Sequence, residues 1–277
     1  MPGIAWVNGE IGDLTHPRFG VRERGFLYGD GVFETLRLRD GLPQDWEEHR
    51  QRLCQGCSAL KIPCPRDDVE AGVAEVAARI GNGVLRVTVT RGESPRGLLP
   101  HPDGRPTVVV FGQDEEPYPG DVYERGMHAC LISFPRNHLS PLVRLKSLNC
   151  LENILGRLEA AAAGAQEGIF CNMLGEVAEG TTSNVFIVLE ERIVTPSPDS
   201  GLLPGIMRAK VISLAGELRI PVVEGSVLPE DLLGAEEAFL TNSLMGIMPL
   251  VSVAGRKVGK GSPGPVTELL RRKLRFP

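Results

Sequence analysis

Within the first 120 residues the spacing of apolar side chains moves from two to about 3.6 and back. A chain with both periods builds strands and helices around a shared core. Residues 33–39 (FETLRLR) set Leu36 and Leu38 against Thr35, Arg37 and Arg39, the alternation of a half-buried strand. An Asp40-Gly41 pair follows, and such pairs tolerate the positive φ of a tight turn. Residues 45–60 space Trp46, Leu53, Cys57 and Leu60 three, four or seven apart, which is one stripe of a helix. From 67 to about 79 a second stripe is formed by Val69, Val73, Val76 and Ile80. Leu85, Val87 and Val89 then alternate with Arg86, Thr88 and Thr90, a strand, and residues 107–111 make another.

Residues 94–106 (SPRGLLPHPDGRP) are too rich in Pro and Gly for regular structure. The segment 113–121 (QDEEPYPGD) interrupts both periods, so a domain boundary is expected near 118, with domains 1–118 and 119–277. The second half reads as a strand at 127–134, a helix at 151–165, short strands over 169–189, a helix at 205–218, a strand at 238–241 and a helix at 266–274. This is mixed α/β, without the clean βαβ repeat of a doubly wound sheet.

A length of 277 residues suits about two domains. Thirty Lys and Arg against 35 Asp and Glu give a net charge of -5, which lacks the basic excess of a nucleic-acid surface. The start, MPGIAWVNGEIGD, has neither the basic region nor the apolar run of a signal peptide. The uncharged stretch 238–255 (AFLTNSLMGIMPLVSVAG) contains Thr, Asn, two Ser, Pro and two Gly, so it fits strand–loop–strand better than a membrane span. Six irregularly spaced cysteines suit a reducing compartment, and a cytoplasmic location is expected. Cys54 and Cys57 form a lone CxxC with no second pair or His cluster nearby, so no metal site is expected.

Lys146, in SPLVRLKSLNCLENILG, stands between strand and helix signals among apolar residues. Burial favours the uncharged amine of a lysine and frees it to attack a carbonyl, although the spacing alone favours a surface lysine before a helix. Five further segments add to it in order: RGFLYGDGVFETLR (24–37), EHRQRL (48–53), AEGTTSNVF (178–186), PGIMR (204–208) and TNSLMGIMP (241–249). Together with KSLN (146–149) they resemble the fold type IV pyridoxal-phosphate enzymes, the branched-chain and D-amino-acid aminotransferases and aminodeoxychorismate lyase. The resemblance covers about residues 3–254. It implies a D-amino-acid aminotransferase-like fold: an N-terminal α/β domain, a C-terminal α/β pseudo-barrel, an active site at their interface and a homodimer. The cofactor it implies is pyridoxal 5'-phosphate.

The resemblance also assigns roles. Lys146 matches the lysine that takes the cofactor's aldehyde. Glu179 matches the carboxylate that keeps the ring nitrogen protonated, as an electron sink requires. Arg52, three residues after His49, matches the phosphate arginine. Ile206 and Met207 open a helix behind Gly205, where backbone amides suit a phosphate; many aminotransferases have Thr in place of Met207. Ser243 stands where aminotransferases often place a phosphate-binding Thr. Thr35, opposite Leu36 and Leu38 on its strand, faces the substrate, and Arg96 matches an arginine that holds the substrate carboxylate. D-amino-acid aminotransferases carry a His two residues later, whereas Leu98 stands here and cannot donate.

SPLVRLK, PRGLL, GIMR and TNSLMGIMP resemble the lyases, which implies release of pyruvate and 4-aminobenzoate, with Lys146 removing a ring proton and Thr35 protonating the departing group. Ser147 replaces a His found in several lyases, so an aminotransferase for D-amino or branched-chain amino acids stays open. A third alternative, a cofactor-binding protein without turnover, would lack the lysine or the glutamate, and Lys146 and Glu179 are both present. A small-molecule substrate is expected in either enzyme reading, with no nucleic-acid or membrane partner.

Overall fold

The alternating segments of the first half become one antiparallel sheet. The computed structural model describes residues 3–15, 19–101 and 104–274. The chain divides into two compact units, Met1–Pro117 with Leu145–Asn149, and Tyr118–Arg144 with Cys150–Pro277. The segment Leu145–Asn149 therefore groups with the first unit although it lies beyond residue 118.

The first unit runs β1 (Gly3–Val7), β2 (Glu10–Asp13), α1 (Arg24–Tyr28), β3 (Gly31–Arg39), β4 (Leu42–Pro43), α2 (Trp46–Ala59), α3 (Arg66–Ile80), β5 (Gly83–Thr90) and β6 (Thr107–Gln113). Its six strands take the order β2-β1-β6-β5-β3-β4. Period two sends Val32, Leu36 and Leu38 of β3, Leu85, Val87 and Val89 of β5, and Val108 and Val110 of β6 to one face. The stripes of α2 (Leu53, Cys57) and α3 (Val69, Val73, Val76) close over that face. The other face carries Phe33, Thr35, Arg86, Thr88 and Phe111, all half-buried. Residues 94–100 form neither helix nor strand, as their Pro and Gly content predicts.

The second unit contains α4 (Gly120–Arg125), β7 (Met127–Leu131), α5 (Leu151–Ala162), β8 (Glu167–Cys171), β9 (Val177–Gly180), β10 (Asn184–Leu189), β11 (Arg192–Pro196), α6 (Ile206–Glu217), β12 (Val222–Gly225), α7 (Pro229–Gly234), β13 (Glu237–Asn242), β14 (Gly246–Val253), β15 (Arg256–Lys257) and α8 (Pro265–Leu274). The main path of its sheet is β12-β11-β10-β13-β14-β7-β8-β9, with β15 paired to β14. Its ends approach each other, since Val177 at the start of β9 donates to the Val227 carbonyl just after β12 (2.7 Å). The sheet is covered on both faces, so β10 (NVFIVL) is continuously apolar. Val185 and Ile187 face a core with Tyr123, Leu240 and Met248. Phe186 and Val188 face another with Phe239, Val211 of α6 and Leu270 of α8. The uncharged stretch 238–255 is a strand, a turn and a strand (β13, β14). Among the described residues no helix is long and apolar enough to cross a membrane.

Candidate active site

In the first unit the segment Leu145–Asn149 lies along the start of β3. Phe33 N–H donates to the Lys146 carbonyl (2.9 Å) and Leu148 N–H to that of Gly31 (3.0 Å). This pairing fixes the Lys146 side chain beside Phe33, with Nζ 4.5 Å from the ring centroid. The Arg86 guanidinium lies 3.8 Å from the same centroid, and Arg86 stands opposite Thr35 across the β3–β5 ladder. Lys146, Phe33, Thr35 and Arg86 therefore share one patch of the first unit. Neither Phe33 nor Arg86 is singled out by the sequence.

Arg52 lies behind that patch, on α2. Its guanidinium grips Glu34 with two bonds, Nε to Oε1 at 2.8 Å and Nη2 to Oε2 at 2.7 Å. His49, one helical turn earlier, reaches the same Oε2 with Nδ1 (2.7 Å). Glu34 and His49 are fully buried. Burial works to raise the Glu34 pKa, but the bonds and charges of Arg52 and His49 outweigh it and bring it down to about 2. Arg52 is thereby fixed in orientation, which a flexible phosphate ligand on a helix surface is not.

Arg96 is exposed, in the loop after β5, and Leu98 and Leu99 beside it are strongly exposed. The loop is tied down by Arg24, a buried residue at the start of α1. No disulfide involves the CxxC cysteines. Burial foremost, with Cys54 close by, pushes the Cys64 thiol up to about 11, so it is protonated at neutral pH.

In the second unit Glu179 sits on β9, buried, where it is a strand residue and not a solvated turn acid. Three donors converge on its carboxylate: Arg136 Nη1 on Oε1, and Leu203 N–H (2.9 Å) and Asn184 Nδ2 (3.3 Å) on Oε2. Arg136 is itself held by Glu152 (3.0 Å) and stands over the Phe170 ring. Glu179 is thus held in place by donors from separate elements.

Asn184 also donates to the Leu203 carbonyl (2.9 Å) and lies against Gly205, where a Cβ would collide with its Oδ1. Gly205 is the N-cap of α6, and no side chain caps this twelve-residue helix. Its first turn, with Ile206 and Met207 buried, presents amides that lack intrahelical partners. Asn184 pairs in register with Thr241 of β13, and Ser243 follows in the β13–β14 turn, half-buried. Glu179, the α6 N-terminus and Ser243 are therefore gathered at one end of the second sheet.

Two residues unmarked in the sequence shape that end. Glu167, buried on β8, accepts Thr181 N–H (3.1 Å), the Thr181 and Thr182 hydroxyls and the Ser183 hydroxyl (2.9 Å), which locks the turn after Glu179. Asn242 ties the two turns, accepting Leu244 and Met245 N–H (2.9 and 2.8 Å) and donating to the Thr182 carbonyl (3.2 Å). Among the described residues no cluster of His, Cys, Asp or Glu is arranged to hold a metal ion.

The first unit carries an amine, and the second a buried carboxylate and an uncapped helix start, the kinds of group that an aldehyde-bearing pyridine phosphate requires. The chain belongs to the class IV aminotransferase family: the profile described as amino-transferase class IV matches residues 31–253. A Methanocaldococcus jannaschii protein, provisionally named a branched-chain-amino-acid aminotransferase, is 34% identical over 98% of this chain and 94% of its own. The crystal structure of 4-amino-4-deoxychorismate lyase from Pseudomonas aeruginosa has a TM-score of 0.89 and 33% identity, covering 98% of each chain. A Thermus thermophilus branched-chain amino acid aminotransferase with pyridoxamine 5'-phosphate has a TM-score of 0.91 and 28% identity, covering 99% of this chain and 93% of its own. The fold is that of the fold type IV enzymes, whose class IV members depend on pyridoxal phosphate.

Proposed function

We propose that the chain is a pyridoxal-phosphate-dependent aminodeoxychorismate lyase, which releases pyruvate and leaves 4-aminobenzoate. The observation that carries this reading is the pairing of an amine and a hydroxyl on one patch. Lys146 Nζ lies beside Phe33, and Thr35 is two residues along the same strand face. Elimination with aromatisation needs a group to take the ring proton and another to protonate the departing side chain, and these two side chains suit the roles. Transamination, by contrast, requires only the lysine.

The cofactor, when bound, supplies an electron sink that drains negative charge from the substrate carbon. Lys146 would hold its aldehyde and afterwards move the proton at Nζ. Glu179 would hold the ring N–H. Arg52 and the Ile206 and Met207 amides, with the Ser243 hydroxyl, would bind the phosphate, and Arg96 a substrate carboxylate. We further propose a homodimer in a cytoplasmic location. α5 buries Gly156 and Ala160 but exposes Leu151, Ile154, Leu155 and Leu158, a three-and-four-spaced apolar face suited to a second copy.

The test follows pyruvate from aminodeoxychorismate, and keto acid from D-alanine or leucine, at saturating cofactor. Wild type is expected to favour pyruvate. Thr35→Val should lower pyruvate release by about 10²-fold while sparing keto-acid formation, and Lys146→Ala should lose both activities and the cofactor's visible colour. Robust keto acid with no pyruvate from the wild type establishes the aminotransferase alternative, which the Methanocaldococcus jannaschii relative favours.

A further inference from the structure

All three nitrogens of the buried Arg24 guanidinium are engaged. Nε donates to Asp30 Oδ2 (2.7 Å), Nη1 to the Gly97 carbonyl (2.7 Å) and Nη2 to the Leu98 carbonyl (2.8 Å). Asp30 is anchored from the other side by Arg91, through Nε (2.7 Å) and Nη2 (3.1 Å). Successive carbonyls of an extended chain point to opposite sides, so two of them meet one guanidinium only where the backbone kinks. Gly97, at φ 135°, brings the chain into that turn through a region that side-chain-bearing residues rarely adopt. Residues 94–100 lie outside any strand, and two further hydrogen bonds that tie them to the rest of the unit are long: Gly97 N–H to the Tyr28 hydroxyl (3.4 Å) and Ser94 N–H to the Arg22 carbonyl (3.4 Å).

We propose that Arg24 is a positioning residue that sets substrate specificity: it clamps the loop so that the neighbouring Arg96 presents its charge to a substrate carboxylate in one orientation. This rests on the role given to Arg96 above. The planar fork is essential, because a lysine ammonium can balance Asp30 as a point charge but cannot serve two carbonyls in the guanidinium's geometry. Arg24→Lys is therefore the informative variant, as it keeps the buried charge.

The experiment takes the full-length, cofactor-loaded enzyme and measures two things. Amide hydrogen exchange over residues 96–99 is expected to quicken by about tenfold or more in Arg24→Lys, with the core strands unchanged. KM for the carboxylate substrate is expected to rise about tenfold with kcat within about twofold, and Arg96→Ala is expected to absorb that effect, so that the double variant is no worse than Arg96→Ala alone. Unchanged exchange overturns the clamp. Additive KM effects, or a fall in kcat with KM unchanged, overturn the link to Arg96. Should Arg96→Ala leave KM untouched, the carboxylate role itself fails, while the exchange result still judges the clamp.

Discussion

At the scale of single residues, the least expected is Glu34. It occupies the same phase of β3 as Leu36 and Leu38, so a charge falls on the face that packs against α2, where only His49 and Arg52 make it tolerable. Its carboxyl is brought down from 4.5 to about 2 in the folded protein. A depressed carboxylate stabilises the fold above the unfolded pKa, and that stability is lost as pH falls through the folded one. The window is thus about 4.5 to 2, and the interaction contributes roughly 3 kcal/mol at neutral pH. Denaturant unfolding of wild type and Glu34→Gln across that window is expected to converge towards its acid end, with the variant weaker at pH 7. A gap that persists at the acid end would remove the charge from the explanation. Lys146, Arg52, Glu179 and Arg96 stood out as candidates because short motifs mark them. Glu34, Arg136, Glu167 and Arg24 did not, because each acquires meaning from partners brought together by the fold: Arg136 meets Glu179 over 43 residues of separation and Arg24 meets Gly97 over 73.

Elements were legible where period and length reinforced each other. The stripe expected at 45–60 is α2 and that at 67–79 is α3, and the alternation at 85–89 lies within β5. Ends were less legible. The helix expected to reach 165 stops at Ala162, just before Gly164 enters the left-handed region at φ 70°. The strand expected over 127–134 ends at Leu131. Two- to five-residue elements such as β1, β4, β12 and α1 hold too few repeats of either period to leave a recognisable pattern. α6 offers a prediction at this scale. Its uncapped start abuts Asn184, which also holds Glu179, so Gly205→Ala would push Asn184 aside and disturb helix start and carboxylate together. The expected outcome is weakened retention of cofactor on dialysis, followed by absorbance, and a melting temperature lower by a few degrees, as a cost of about 1–2 kcal/mol implies. Wild-type retention in this variant would show that the close approach is irrelevant to the site.

On the scale of the whole molecule, the apolar face of α5 makes the assembly state an experimental matter. If a second copy covers it, Leu155→Glu should give a monomer by sedimentation at micromolar concentration, with circular dichroism unchanged because the exposed side chain contributes nothing to the protomer core. A variant that sediments like wild type would place the dimer contact elsewhere. The change of texture near residues 113–121 suggested a boundary there, and mixed periods with the family motifs suggested the fold class, yet nothing in the sequence marked the grouping of Leu145–Asn149 with the first unit. That five-residue segment carries no periodicity, and its backbone bonds to Gly31 and Phe33 are set by a meeting across more than a hundred residues of chain.

The same segment constrains the order in which a ribosome can deliver this protein. Residues 1–117 leave the exit tunnel first, but the edge at Gly31–Phe33 stays unpaired until Asn149 has emerged. At about 5–20 residues per second the N-terminal sheet waits seconds with that edge exposed. Lys146 is therefore placed on its sheet only after part of the second unit has been synthesised, and a nascent chain truncated before that point displays a β-edge that holdase chaperones can occupy.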